Sequence, residues 1–156
     1  MIEIERKFLV LSTKYRELSF KNTRIIQGFL STDPKRTIRV RLKNNKGELT
    51  IKGMSSNDGL SRFEWETEIS SKDAMALLKL CELELVVKKR FEVKFGTHTF
   101  EIDEFEGDNS GLVIAEVELT HENEHFEKPD WLGDEVTGQI KYYNSSLYLK
   151  PYNRWS

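Results

Sequence analysis

The sequence predicts a mainly β (α+β) chain in which eight antiparallel strands close into a barrel with a charged interior and a few flanking helices. Three observations lead there. Apolar and polar residues alternate with period two in eight separate segments, the mark of strands with two unlike faces. The connections are of hairpin length and carry turn formers, as in Asp33-Pro34, Asn44-Asn45-Lys46-Gly47, Phe95-Gly96-Thr97 and Gly107-Asp108-Asn109-Ser110-Gly111. The polar face of nearly every segment is built of charge, with almost no Ser, Thr or Asn mixed in.

The strands are expected near residues 2–10, 24–32, 36–43, 48–53, 62–70, 84–95, 98–106 and 112–120. The first puts Glu3, Glu5 and Lys7 on one face and Ile2, Ile4, Phe8 and Val10 on the other. The third opposes Arg39, Arg41 and Lys43 to Ile38, Val40 and Leu42, and the fourth opposes Thr50 and Lys52 to Leu49 and Ile51. The fifth carries Arg62, Glu64, Glu66 and Glu68 against Phe63, Trp65, Thr67 and Ile69. The sixth carries Lys88, Arg90, Glu92 and Lys94, the seventh Glu101 and Asp103, and the eighth Glu116 and Glu118, each set opposite apolar neighbours. Three helices are expected: a short one over 13–18, one over 71–81 with Ser71 as N-cap and Asp73 in its first turn, and one over 143–149. Residues 54–59 read as a mobile loop, and no linker or repeat divides the chain, so 1–156 forms one domain.

Composition narrows the function. The chain has 24 Lys and Arg against 26 Asp and Glu, a formal net charge of -2, which lacks the basic excess of a nucleic-acid binder. No apolar run approaches the ~20 residues that span a bilayer, and no signal peptide is evident, so neither a nucleic acid nor a membrane is an expected partner. The lone cysteine, Cys81, has no disulfide partner in the chain and suits a cytoplasmic location; within an apolar run it reads as a buried small side chain.

A solvated sheet face laced with ion pairs is the ordinary meaning of polar alternation. Here like charges recur at i and i+2, about 6.6 Å apart on one face. They repel by roughly 0.6 kcal/mol in water and about 2.5 kcal/mol at an effective dielectric of 20. Arg-x-Arg and Lys-x-Arg strands are suited to phosphate oxygens, and Glu-x-Glu strands to metal ions. A barrel with its apolar face packed outward against the helices and its charged face lining a wet lumen reconciles the pattern.

In order along the chain stand Glu3-Ile4-Glu5-Arg6-Lys7, Gln27-Gly28-Phe29-Leu30, Arg39-Val40-Arg41, Leu49-Thr50-Ile51-Lys52, Arg62-Phe63-Glu64-Trp65-Glu66, Lys88-Lys89-Arg90, Ile102-Asp103-Glu104-Phe105, Ala115-Glu116-Val117-Glu118-Leu119, and Val136-Thr137 with Lys141-Tyr142 and Asn144. This order resembles the CYTH superfamily, the triphosphate tunnel metalloenzymes, in their short bacterial, tripolyphosphatase-like form. The resemblance implies an eight-stranded tunnel that takes a small-molecule triphosphate. It assigns the triphosphate to Lys7, Arg39, Arg41, Lys52, Lys88 and Arg90, with Arg62 and Lys141 as additions. It assigns Mg²⁺ or Mn²⁺ to Glu3, Glu5, Glu64, Glu66, Asp103, Glu116 and Glu118, with Glu3, Glu5, Glu116 and Glu118 nearest the ion. The catalytic set is Glu3, Glu5, Lys7, Arg39, Arg41, Lys52, Lys88 and Arg90. An all-carboxylate donor set independently selects hard cations.

Hydrolysis of inorganic tripolyphosphate to pyrophosphate and phosphate is the favoured reaction. The alternatives are a class IV-type adenylate cyclase, a thiamine or nucleoside triphosphatase, and a non-enzymatic polyphosphate-binding module. A cyclase needs a base-gripping site, for which only Gln27, Phe29 and Tyr142 offer themselves. His121 and His125, at i and i+4 in an acidic segment, and His98 at a turn read as structural.

Overall fold

The computed structural model describes residues 2–155; Met1 and Ser156, the ends of the expected domain, lie outside the described residues. Among the described residues nine strands form: β1 (Ile2–Val10), β2 (Lys21–Ser31), β3 (Arg36–Lys43), β4 (Lys46–Gly53), β5 (Ser61–Ile69), β6 (Glu82–Phe95), β7 (His98–Phe105), β8 (Val113–Leu119) and β9 (Leu132–Glu135). Three helices join them: α1 (Tyr15–Leu18), α2 (Ser71–Leu78) and α3 (Asn144–Leu147). None is long and apolar enough to cross a membrane.

The sheet runs β5-β4-β3-β2-β6-β7-β8-β1-β9, and β5 also pairs with β1, closing eight strands into a barrel. Every pairing is antiparallel. Closure is brief, Ile2 to Ile4 against Phe63 to Ser61; further along, β1 is flanked by β9 instead, with Phe8 opposite Glu135 and Val10 opposite Leu132. The ninth strand was not anticipated. The expected N-cap also shifts by one: Ser70, not Ser71, accepts the amide of Asp73 and starts α2.

Apolar residues pack in three bodies. On the outside of β1, β6, β7 and β8, Phe8, Phe91, Val93, Phe100, Ile102, Ala115 and Val117 are covered by Tyr15 of α1 and by Phe126, Trp131 and Leu132. On the outside of β2 to β5, Val40, Leu42, Leu49 and Ile69 are covered by Ala74, Leu77 and Leu78 of α2. The outward-packing expectation therefore holds over most of the barrel, although a loop segment does much of the covering. Around β1 and β5, Ile2, Phe63 and Trp65 remain 64%, 49% and 45% exposed.

The third body lies inside. Two residues beyond Lys7, Lys88, Asp103 and Glu116, on the same faces, stand Leu9, Val86, Phe105 and Ile114. They pack with Val136, Tyr142 and Leu147 from the C-terminal segment. The inward face thus changes from charged to apolar on four neighbouring strands, and the C-terminal segment stoppers the lumen there.

Candidate active site

The strand order gathers the charges into two opposed panels. Lys52 of β4, Arg39 and Arg41 of β3, and Lys88 and Arg90 of β6 border the lumen on one contiguous half of the wall, with β2 between them. Glu101 of β7, Glu116 and Glu118 of β8, Glu3 and Glu5 of β1, and Glu64 and Glu66 of β5 border it on the other. Lys7 and Arg62 stand among the acids, and Glu48 among the bases. The panels face each other across a cavity of about 230 Å³. That is below the roughly 300–1,000 Å³ of pockets that take drug-sized molecules, and it suits a small ion.

Some charges bridge the panels. Lys52 Nζ lies 2.7 Å from Glu3 and 3.3 Å from Glu64, and Arg90 donates to Glu101 at 3.0 Å, while within the acidic panel Lys7 Nζ lies 3.5 Å from Glu116. Arg39 Nη2 also reaches across, to 3.9 Å from Glu66, but the guanidinium is only partly paired. Arg39 donates through Nη2 to Thr50 at 3.2 Å, but its buried Nε has no hydrogen-bond partner among the described residues. A buried donor left so costs about 1–3 kcal/mol, which an incoming oxyanion would recover.

The electrostatics show which charge each panel lacks. Burial, then Glu116, pushes the Glu5 carboxyl up to about 8, only partly opposed by Lys7. Burial also raises Glu3, with Glu64 adding to it and Lys52 opposing. Glu116 shows the contrary balance: burial is outweighed by Lys7 and Arg90, and it falls to about 2. On the basic side, burial, then Arg39 and Arg90, drives Arg41 down to about 9, and burial lowers Lys88 against the pull of Asp103. The acids around Glu5 want a cation and the bases around Arg41 want an anion.

The acids fit a hard divalent ion by donor type and by this unmet negative charge. Among the described residues no three Asp, Glu, His or Cys side chains converge on one point. Mg²⁺ does not need them to, because it commonly takes one or two carboxylates and fills its shell with water and substrate phosphate.

Two expected residues stand elsewhere. Asp103, expected on metal, is 2% exposed behind the basic panel. Arg90 grips both its oxygens at 2.7 and 2.9 Å, and Lys88 Nζ approaches Oδ2 to 2.7 Å. Burial would raise its carboxyl, yet Arg90 and Lys88 hold it well below the usual carboxylate range. It is a counter-ion that braces two bases. Lys141 is exposed outside the lumen, its Nζ 5.2 Å from the Tyr142 ring centre and 4.8 Å from that of Trp155, and Tyr142 is buried in the stopper. The next residues, Tyr143 and Asn144, face the cavity instead. His121 and His125 are exposed, and His98 pairs with Glu124.

The sign of the Glu5 shift sets a pH dependence. Its folded value lies above the ordinary 4.5, so the stability it contributes is whole below 4.5 and is lost as pH rises through about 8. Glu116 works oppositely, losing its contribution as pH falls from 4.5 toward about 2. The metal-free protein should therefore melt highest near pH 5 and several degrees lower by pH 8, at ~2–4 °C per kcal/mol for a chain of this size. Added Mg²⁺ should remove most of that fall. Thermal melting in EDTA that is flat or rising from pH 5 to 8 would contradict this account.

Comparison with known proteins agrees with the geometry. The CYTH domain model matches residues 1–151. An inorganic triphosphatase of Acetivibrio thermocellus is 46% identical over 154 residues, covering 98% of this chain and 97% of that one. An inorganic triphosphatase of Nitrosomonas europaea is 38% identical over 154 residues, covering 96% and 98%. The crystal structure of an inorganic triphosphatase superposes with a TM-score of 0.67 at 32% identity, covering 94% of this chain and 97% of that one.

Proposed function

The chain belongs to the CYTH domain family, and on that premise we propose that it is a divalent-metal-dependent triphosphatase whose preferred substrate is inorganic tripolyphosphate. The observation that carries this reading is the pair of opposed half-cylinders of unlike charge around a small cavity. A triphosphate lies along the basic panel, its oxygens met by Arg39, Arg41, Lys52, Lys88 and Arg90, with Lys7 and Arg62 closing over it from the acidic side. Glu3, Glu5, Glu116 and Glu118 would hold Mg²⁺ or Mn²⁺, with Glu64 and Glu66 beside them. The ion would supply Lewis-acid neutralisation of phosphate oxygens. Water attacks a terminal phosphorus, the bridging P–O bond breaks, and pyrophosphate leaves. The basic panel stabilises the charge that gathers on the bridging oxygen and the transferring group, its side chains fixed before the reaction begins.

A specific observation disfavours the cyclase. Each residue suggested as a grip for a purine is already occupied. Phe29 is 5% exposed and stands edge-on to Tyr148 at 5.0 Å, Gln27 is 0% exposed and hydrogen-bonded on both sides, and Tyr142 belongs to the stopper. A nucleoside would bring ordering cost without matching contacts.

The test is a product assay with tripolyphosphate, ATP and thiamine triphosphate at matched concentration in Mg²⁺ or Mn²⁺. Tripolyphosphate is expected to be cleaved fastest, to pyrophosphate and phosphate. Cyclic AMP with pyrophosphate from ATP, formed faster than tripolyphosphate is lost, would install the cyclase in its place.

A further inference from the structure

Two neutral amides stand among the bases of the lumen wall. Gln27 on β2 is 0% exposed, and Asn144 opens α3. Their orientation is dictated by their neighbours, because Arg and Lys side chains only donate. Arg41 Nε donates to Gln27 Oε1 at 3.1 Å. That turns Gln27 Nε2 toward Asn144, where it donates to Oδ1 at 2.9 Å. Lys88 Nζ donates to the same Oδ1 at 2.9 Å. A guanidinium and an ammonium are thus tied together through two carboxamides.

We propose that Gln27 and Asn144 are positioning residues that aim Arg41 and Lys88 at the substrate while leaving their charge uncancelled. This rests on the triphosphatase reading. Crowded bases need acceptors to hold them still, and a carboxylate is the strongest acceptor available. Asp103 already serves Lys88 and Arg90 in that way. Each further carboxylate would subtract from the positive charge that a triphosphate meets, whereas an amide oxygen orients a base at no cost in net charge. The donor count supports this. An ammonium has three donors; Asp103 and Asn144 take two from Lys88, which still borders the cavity. Arg41 spends Nε on Gln27, and its terminal nitrogens make no hydrogen bond among the described residues.

The same pair links the bases to the stopper. Leu147, three residues after Asn144, is anchored in the apolar body, and Tyr148 Oη donates to the Gln27 carbonyl at 3.0 Å. Seating the C-terminal segment and aiming Lys88 are one structural event.

Asn144→Asp and Gln27→Glu keep size and acceptor and add one charge. Each should raise KM for tripolyphosphate at least tenfold and change kcat far less. The melting temperature of Asn144→Asp without ligand should stay at or above wild type, since it adds a counter-charge to crowded bases and keeps the acceptor; Gln27→Glu also loses the Nε2 donor to Asn144 and is read by KM and binding alone. Metal-free calorimetry with tripolyphosphate reads the binding half alone and should show the same tenfold weakening. A KM within twofold of wild type in both variants would overturn the inference, and so would a higher KM accompanied by a lower melting temperature in Asn144→Asp, which marks a merely structural role. Wild-type protein separates the two readings: failure to bind or cleave tripolyphosphate defeats the triphosphatase, whereas normal wild-type turnover with unaffected variants defeats only the positioning role.

Discussion

Glu5→Gln is expected to cut tripolyphosphate turnover at least 100-fold while raising the melting temperature of the metal-free protein. The two effects have one cause. Glu5 is buried and crowded by Glu116, so its carboxyl sits near 8 and must hold a proton in the empty lumen at neutral pH, at a cost in stability. Glutamine keeps the shape and needs no such proton, which should stabilise the empty barrel. It also removes the charge that a divalent ion would neutralise, and a hundredfold loss corresponds to about 2.7 kcal/mol of transition-state stabilisation. Stability gained while activity is lost marks a functional site held against its own folding preference. Steady-state kinetics in Mg²⁺ and a melt in EDTA decide it. Retained turnover, or a melting temperature several degrees below wild type, would show Glu5 to be a structural acid.

Arg41→Met should lower kcat/KM for tripolyphosphate by about 10²–10³-fold, the loss typical of removing one donor aimed at developing charge. Arg41 is placed for this: it borders the cavity, and burial, then Arg39 and Arg90, push its guanidinium down to about 9. Its removal relieves that repulsion but orphans Gln27 Oε1, at a cost of about 1–3 kcal/mol. These oppose, so the ligand-free melting temperature should move by only a few degrees. Wild type should gain about 2.7 kcal/mol of stability at tripolyphosphate a hundredfold above its Kd. The variant should gain far less at that same concentration. A variant within threefold of wild type in kcat/KM, or one with the full thermal shift, would remove Arg41 from the substrate's contacts.

The strands and their charged faces were legible because alternation with period two is local. The grouping of charge into two panels was not, since it depends on which strands are neighbours. β2 lies against β6 and β1 against β8, pairings between segments far apart in the chain. Glu101 and Asp103 share a face, yet one borders the cavity and the other is locked behind it. Periodicity cannot separate them, because it reports side and not depth. Lys141 lies outside the lumen while Tyr143 and Asn144 face the cavity, a difference that a short irregular segment has no period to reveal. The stopper did leave a trace: Phe8-Leu9-Val10, Leu85-Val86-Val87 and Val113-Ile114-Ala115 break the alternation with consecutive apolar residues, as strands buried on both faces do. β9, four residues in Leu132-Gly133-Asp134-Glu135, carries too little pattern to stand out.

The placing of β1 bears on time. β1, made before the other strands, finds its longest ladder against β8 and its brief one against β5, with β9 later still. Until residues near 119 exist, Glu3 and Glu5 have only three residues of that brief ladder to hold them. Joining ends so far apart must meet its loop entropy before the contacts reward it, which slows β-rich chains. Assembly should therefore proceed from the β2 to β5 hairpins outward, with the Glu-x-Glu strand docking late. Meanwhile a nascent chain would expose an unpaired edge at β5, and its exposed Phe63 and Trp65 would be the residues that a chaperone meets.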